Sequence, residues 1–300
     1  MIVEAKPLKK KIMFFGDSNT YGYDPRPVFG GRYSEEVRWT DILERRFSQD
    51  LEVIARGMNG RTIPSSTLEI ENLESAIKGN GPLWAFALML GTNDLVLTDS
   101  PDWIMAASRM KALMTKLMDN QDLLESKAKV ILIAPPLVFP GSPKGSIYEK
   151  YEYSSRRLAK AYEDIARQKG CLFINAAEWD VELAQDGVHL TEKGSIYFAE
   201  KMAEELEKLL EEKKMNKYGF TVEENRIYLN NAEGKMVAEV TFPETEPGVF
   251  TIDHTFVDDS LRGQGIAGKL VESAVEEIEK KGKVQASCSY AVKWLEQQKG

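Results

Sequence analysis

Between residues 11 and about 213, short apolar runs alternate with longer amphipathic ones, and this rhythm narrows the choice of fold more than any single motif. The short runs are Ile12–Phe15, Glu52–Ala55, Ala85–Leu90, Val130–Ala134 and Cys171–Ile174. Each is a few residues long and rich in apolar or β-branched types, as strands buried on both faces of a parallel sheet are. Between them, Trp39, Ile42, Leu43 and Phe47 recur at helical spacing. So do Trp103, Met110, Leu113, Met114 and Leu117, with Ser100-Pro101 as the expected cap and first-turn proline. A third stripe, Leu158, Tyr162 and Ile165, closes at Lys169-Gly170. The fourth is Ile196, Ala199, Met202, Leu206 and Leu209, with Thr191 as its expected N-cap. The Met-rich stretch Met105–Met118 reads as core, because Met fills irregular gaps. Strand–helix alternation of this kind predicts a parallel α/β sheet.

After Leu210 the pattern changes. Glu211-Glu212-Lys213-Lys214 is a charged run that marks a boundary, dividing the chain into residues 1–214 and 215–300. Consecutive strands are expected at Tyr218–Val222, Arg226–Leu229, Met236–Phe242 and Val249–Val257, with turn residues at Asn230, Asn231 and Glu233-Gly234. A helix carrying Ile266, Leu270, Ala274 and Ile278 follows, then a short strand near Val284–Ser287 and a terminal helix. The second domain is therefore small and α+β.

The formal net charge of −8 argues against nucleic-acid binding, which calls for a basic face. No apolar run approaches the ~20 residues of a membrane-spanning helix. The N-terminus is basic (Lys6, Lys9, Lys10, Lys11), but Ile12–Phe15 is too short for a signal-peptide core, so a cytoplasmic protein is expected. Cys171 and Cys288 fall in different domains, which disfavours a disulfide framework. With two His and two Cys in all, a structural zinc site of the usual spacing is not expected either.

Chemistry concentrates at the two ends of the first region. Gly16-Asp17-Ser18-Asn19 directly follows the first expected strand, where open α/β sheets bind ligands. A serine hydroxyl is a poor nucleophile unless a base takes its proton, and His suits that task near neutral pH. His189 is one of only two histidines, and Asp186 stands three residues before it. That spacing lets a carboxylate on the same loop reach the far ring nitrogen and fix the tautomer. Acyl transfer also needs donors to the oxyanion. Gly60 follows the second strand and could offer its N–H, and Asn93 follows the third and could offer its side-chain amide. The loops 21–36, with Tyr23, Phe29 and Tyr33, and 135–148 are expected to wall a modest apolar acyl or aryl pocket. The G-x-S-x-G elbow of the α/β-hydrolase fold is absent, which disfavours that rival.

Ser18, Gly60, Asn93 and His189, in this order and on these strand ends, resemble the four blocks of the SGNH (GDSL-like) hydrolases. Val37-Arg38-Trp39-Thr40 and Gly91-Thr92-Asn93-Asp94 look most like the bacterial arylesterase/acyltransferase branch. The resemblance covers about residues 11–213. It implies a three-layer α/β/α, flavodoxin-like fold. It also implies cleavage of short acyl esters through an acyl-serine, with Asp186 as third triad member. No metal or bound cofactor is implied for this half, and the branch suggests a homo-oligomer.

In the second domain, Arg262-Gly263-Gln264-Gly265-Ile266-Ala267 joins a strand to a helix, where successive N–H groups can cradle a pyrophosphate. The hexamer is similar to the acetyl-CoA loop of GNAT acetyltransferases. His254-Thr255-Phe256-Val257 and Cys288-Ser289-Tyr290 extend that likeness to the small single-core members. It implies acetyl-CoA as ligand and Cys288 as acetyl acceptor, with His254 as partner; a buried structural Cys and a packing His are the plain alternatives. The sequence leaves open two other readings: acyl transfer or acyl-CoA thioester cleavage at Ser18, and an esterase regulated by a non-catalytic acyl-CoA sensor.

Overall fold

The computed structural model describes residues 9–210, 214–231 and 233–298. The chain divides into two compact units, one ending at Glu207 and the other beginning at Lys208. In the first, β1 (Lys10–Gly16) leads into α1 (Ser18–Tyr21), a hairpin of β2 (Tyr23–Asp24) and β3 (Gly31–Arg32), and α2 (Trp39–Arg46). Then come β4 (Leu51–Gly57), α3 (Thr67–Asn80), β5 (Ala85–Met89), α4 (Thr92–Val96), α5 (Trp103–Met118) and α6 (Gln121–Glu125). The unit ends with β6 (Lys129–Ala134), α7 (Glu149–Lys169), β7 (Leu172–Asn175) and α8 (Glu192–Leu210).

Five strands pair in the order β4-β1-β5-β6-β7, every pair parallel. Side chains alternate in face along a strand. Met13 and Phe15 therefore join one core with Leu73 and Ile77 of α3, Met110 of α5 and Tyr162 of α7. Phe14 points the other way and meets Trp39 of α2 edge-on at 4.9 Å, and Trp39 meets Phe198 of α8 at 5.0 Å. The sheet is thus the middle of three layers, and β5, at its centre, is buried throughout. Gly16 lies level with Gly57 and Met89, so β1, β4 and β5 end together. From β1 the chain goes first to one neighbour and later to the other, which makes their C-terminal ends the ligand-binding edge.

Gly170 closes α7 in a left-handed conformation, and the Thr191 hydroxyl accepts the Gly194 N–H at the start of α8, as the sequence suggests. At α5 the expectation shifts by two residues. Asp102 is the cap, its Oδ1 accepting the N–H groups of both Ile104 and Met105.

The second unit holds β8 (Lys214–Met215), β9 (Thr221–Val222), β10 (Arg226–Asn230), β11 (Met236–Thr241), β12 (Glu244–Glu246), β13 (Val249–Ile252) and β14 (His254–Val257). It continues with α9 (Ile266–Glu279), β15 (Lys283–Ala286) and α10 (Ser289–Gln298). Its core gathers Phe220, Ile227, Val240, Phe242, Ile252, Leu270, Val271 and Ala274. The single strand expected over Val249–Val257 is two strands in two sheets: β13 pairs with β12 and β15, whereas β14 pairs with β11. The split falls at Asp253, whose N–H and carboxylate both bond Thr241 and turn the backbone towards β11. The strand expected from Tyr218 begins only at Thr221, because Asn216 Oδ1 accepts the N–H groups of Tyr218 and Phe220 and holds a turn there.

Candidate active site

Ser18 opens α1 at the end of β1 and is 5% exposed. Asp17 precedes it as N-cap, its carboxylate accepting the Asn19 N–H at 3.0 Å. Asp17 is buried, and burial pushes its pKa up to about 6 against the opposing pull of Asn19, His189 and Arg61.

His189 comes from the turn between β7 and α8. Its Nε2 lies 3.0 Å from Ser18 Oγ, and its Nδ1 lies 2.7 Å from Asp186 Oδ2. The other Asp186 oxygen accepts the N–H groups of Val188 and His189 at 2.9 and 3.0 Å. Partial burial would raise the Asp186 carboxyl, but these donors and the His189 ring outweigh it and hold it below the usual carboxylate range. Gly187 makes this tight turn feasible. Its φ is +68°, and a Cβ there would sit 2.3 Å from the Phe139 ring. Phe139 in turn donates its N–H to Gly187 O and stacks on Tyr148 at 4.5 Å. Loop 135–148 therefore packs on the histidine turn. From loop 21–36, Tyr23 lies against the His189 ring at 4.6 Å, and the buried Tyr33 donates to Leu190 O at 3.1 Å. Phe29 does not join them: at 99% exposure it points to solvent. Loop 21–36 therefore meets the turn through Tyr23 and Tyr33.

Gly60 lies in the loop after β4 with φ +71°, and its N–H, like that of Ser18, donates to no acceptor among the described residues. Asn93 stands in the first turn of α4 and gives one amide hydrogen to Arg61 O at 3.0 Å, leaving the other. Two side chains hold this loop. Arg61 spans it, donating to Gly16 O and Arg56 O while its guanidinium covers the Phe15 ring at 3.9 Å. Asp94 accepts the Ile63 N–H at 2.9 Å and meets Arg109 at 3.2 Å; burial raises its pKa despite both. Beyond Asn93 opens a cavity of about 310 Å³ whose wall includes Thr62, Leu97 and Met105. A hydroxyl beside an imidazole that is itself braced by a carboxylate, with free N–H donors nearby, can perform nucleophilic acyl transfer.

In the second unit the 262–267 segment runs into α9. Gly263 and Gly265 have φ of +80° and +73° with open space where a Cβ would lie, and α9 has no side-chain cap. The first-turn N–H groups of a helix lack intrahelical acceptors, so they remain for an anion. Arg262, on the rim, pairs with Asp259 at 2.8 Å. Cys288 immediately precedes α10, its thiol 3.6 Å from the Thr255 hydroxyl. Against the upward push of burial, the Ala291 N–H and Thr255 lower its pKa. His254 is exposed and, one residue from Thr255, projects from the opposite face of β14. The structure therefore does not bring Cys288 and His254 together.

Residues 14–195 match the GDSL-like Lipase/Acylhydrolase family. The chain belongs to that family. It is an esterase-type hydrolase, and residues 226–299 match the GCN5-related N-acetyl-transferase family. Among solved structures, the native aryl esterase of M. smegmatis is 28% identical over 67% of this chain and 99% of that chain, with a TM-score of 0.56. A carbohydrate acetylesterase family member from Sinorhizobium meliloti is 25% identical over 67% and 99%, with a TM-score of 0.57. Est24 from the same organism, a carbohydrate acetylesterase 24% identical over 67% and 100%, shares the fold with a TM-score of 0.56. A comparison with curated proteins gave no match. No helix among the described residues is long and apolar enough to cross a membrane.

Proposed function

We propose that this GDSL-family chain hydrolyses short-chain acyl esters through an acyl-serine intermediate at Ser18, and that its second domain binds acetyl-CoA. The observation that carries the first part is the unbroken contact from Ser18 Oγ to His189 Nε2 at 3.0 Å and from His189 Nδ1 to Asp186 at 2.7 Å. His189 takes the hydroxyl proton as Ser18 attacks the ester carbonyl. Asp186 keeps the ring in the tautomer whose Nε2 is the acceptor and favours the imidazolium that forms. The N–H groups of Ser18 and Gly60 and the free amide hydrogen of Asn93 receive the charge developing on the carbonyl oxygen. The imidazolium then protonates the departing alcohol, and the same ring activates the water that releases the acid.

Asn93 borders a cavity of about 310 Å³ and Gly60 one of about 630 Å³, both within the range of ligand pockets; we take the smaller, on the Asn93 side, as the acyl pocket. An aryl or sugar acetate accords with the aryl esterase and carbohydrate acetylesterase relatives. With p-nitrophenyl esters from acetyl to octanoyl, kcat/KM is expected to fall with chain length; a steady rise would contradict the small pocket.

In this reading the hydrolase domain spans residues 1–214 and the acyl-CoA domain 215–300. Within the 262–267 segment, the N–H groups of Gly263, Gly265, Ile266 and Ala267 hold the diphosphate, helped by the positive end of α9. When bound, the coenzyme supplies an activated acetyl thioester. The lowered Cys288 pKa supports a reactive thiol, with Thr255 rather than His254 as its neighbour.

A further inference from the structure

Asn19 follows the nucleophile directly, is 5% exposed, and engages both the nitrogen and the oxygen of its side-chain amide on a segment some 170 residues away. Its Nδ2 donates to Val188 O at 3.1 Å, and its Oδ1 accepts the Leu190 N–H at 3.1 Å. Those two groups flank His189. The Asn19 backbone is anchored as well: Trp39 Nε1 donates to Asn19 O at 2.8 Å, and Ser195 Oγ accepts the Trp39 N–H at 3.2 Å. Among the described residues Asp186, by contrast, bonds only inside its own turn, to Val188 and His189. Asp186 can set the ring's tautomer, but it cannot set how far the turn stands from Ser18.

We propose that Asn19 is a positioning residue that, beside the Tyr33 and Phe139 bonds to the same turn, holds the histidine turn at reacting distance from the nucleophile, acting through His189. The chemistry asks for a carboxamide. The turn offers one acceptor and one donor on either side of His189, and a carboxamide presents the complementary donor and acceptor on two separate atoms of a short stem, where a hydroxyl has both on one atom. An aspartate keeps the bond to Leu190 but loses the one to Val188. A leucine loses both and leaves the buried Leu190 N–H and the half-buried Val188 O without this partner.

The test is p-nitrophenyl acetate kinetics on N19L and N19D, each alone and combined with His189→Ala. Because an ångström of misplacement can cost about 100-fold, kcat is expected to fall about 10- to 100-fold in N19L and less in N19D, with KM within about twofold. In the His189→Ala background neither substitution should lower the residual rate further, because the base they position is gone. N19D, nearly isosteric, carries the test if N19L does not fold, as judged by its thermal transition. Wild-type kcat in both variants would overturn the proposal, as would an equal further loss in the His189→Ala background. The inference rests on His189 being the general base. A full rate in His189→Ala alone would remove that reading, whereas a large loss there beside unchanged Asn19 variants would remove only this one.

Discussion

Asp17 shows how a single residue of the site sets a pH dependence. It is 1% exposed, and burial raises its pKa from 3.8 to about 6. A carboxyl whose pKa is higher folded than unfolded favours the fold fully below its unfolded value, and that contribution is lost as pH rises through about 6. Above neutrality the ionised group therefore costs the fold about 3 kcal/mol. Asp17→Asn removes the charge but keeps an oxygen to accept the Asn19 N–H. Urea unfolding should show a stability gain that is small at pH 4 and grows to pH 8; an equal gain at both would contradict the burial argument. At this scale the juxtaposition of Ser18, His189 and Asp186 was legible because histidine is scarce and the carboxylate lies three residues from it. The need for glycine at 187 was not legible, since it comes from Phe139, 48 positions away in sequence, pressed against that turn. The Asn19 clamp was hidden for the same reason: its partners are set by tertiary approach, not by spacing.

At the scale of elements, the parallel strands could be read from their apolar runs because both faces are buried, whereas α3 escaped notice. Only Leu73 and Ile77 of its fourteen residues are buried, so its apolar stripe is thin. The better signal was Ser66-Thr67-Leu68-Glu69, which forms a capping box. The β13/β14 split was equally obscure, because Val249–Val257 reads as one run and the break depends on Asp253 meeting Thr241. Helix ends also separate the two cysteines. Cys288 lies at the start of α10, where the Ala291 N–H and Thr255 lower its pKa against the push of burial. Cys171, beside β7, is pushed up by burial. Since the thiolate is the reactive form, iodoacetamide at pH 7.5 should label Cys288 well before Cys171, as peptide mass spectrometry would reveal. Equal labelling rates would contradict the assigned environments.

For the whole molecule, one chain carries a GDSL-family unit and a region matching the GCN5-related N-acetyl-transferase family. Each has its own core, and the change from alternating strands and helices to consecutive strands marked the transition in sequence. A ligand that binds only the folded state stabilises it by about 2.7 kcal/mol at 100 times its Kd. Acetyl-CoA should therefore raise the unfolding temperature of the full chain, and Gly265→Val, which forces a β-branched residue to φ +73°, should abolish the shift. An unchanged shift in that variant would remove the 262–267 segment from the binding site. The account as a whole stands on Ser18. The most direct measurement is p-nitrophenyl acetate hydrolysis by the wild type beside Ser18→Ala. An acyl-serine mechanism predicts a loss of about 10³-fold or more in kcat/KM with the fold intact. Equal rates in the two proteins would contradict it.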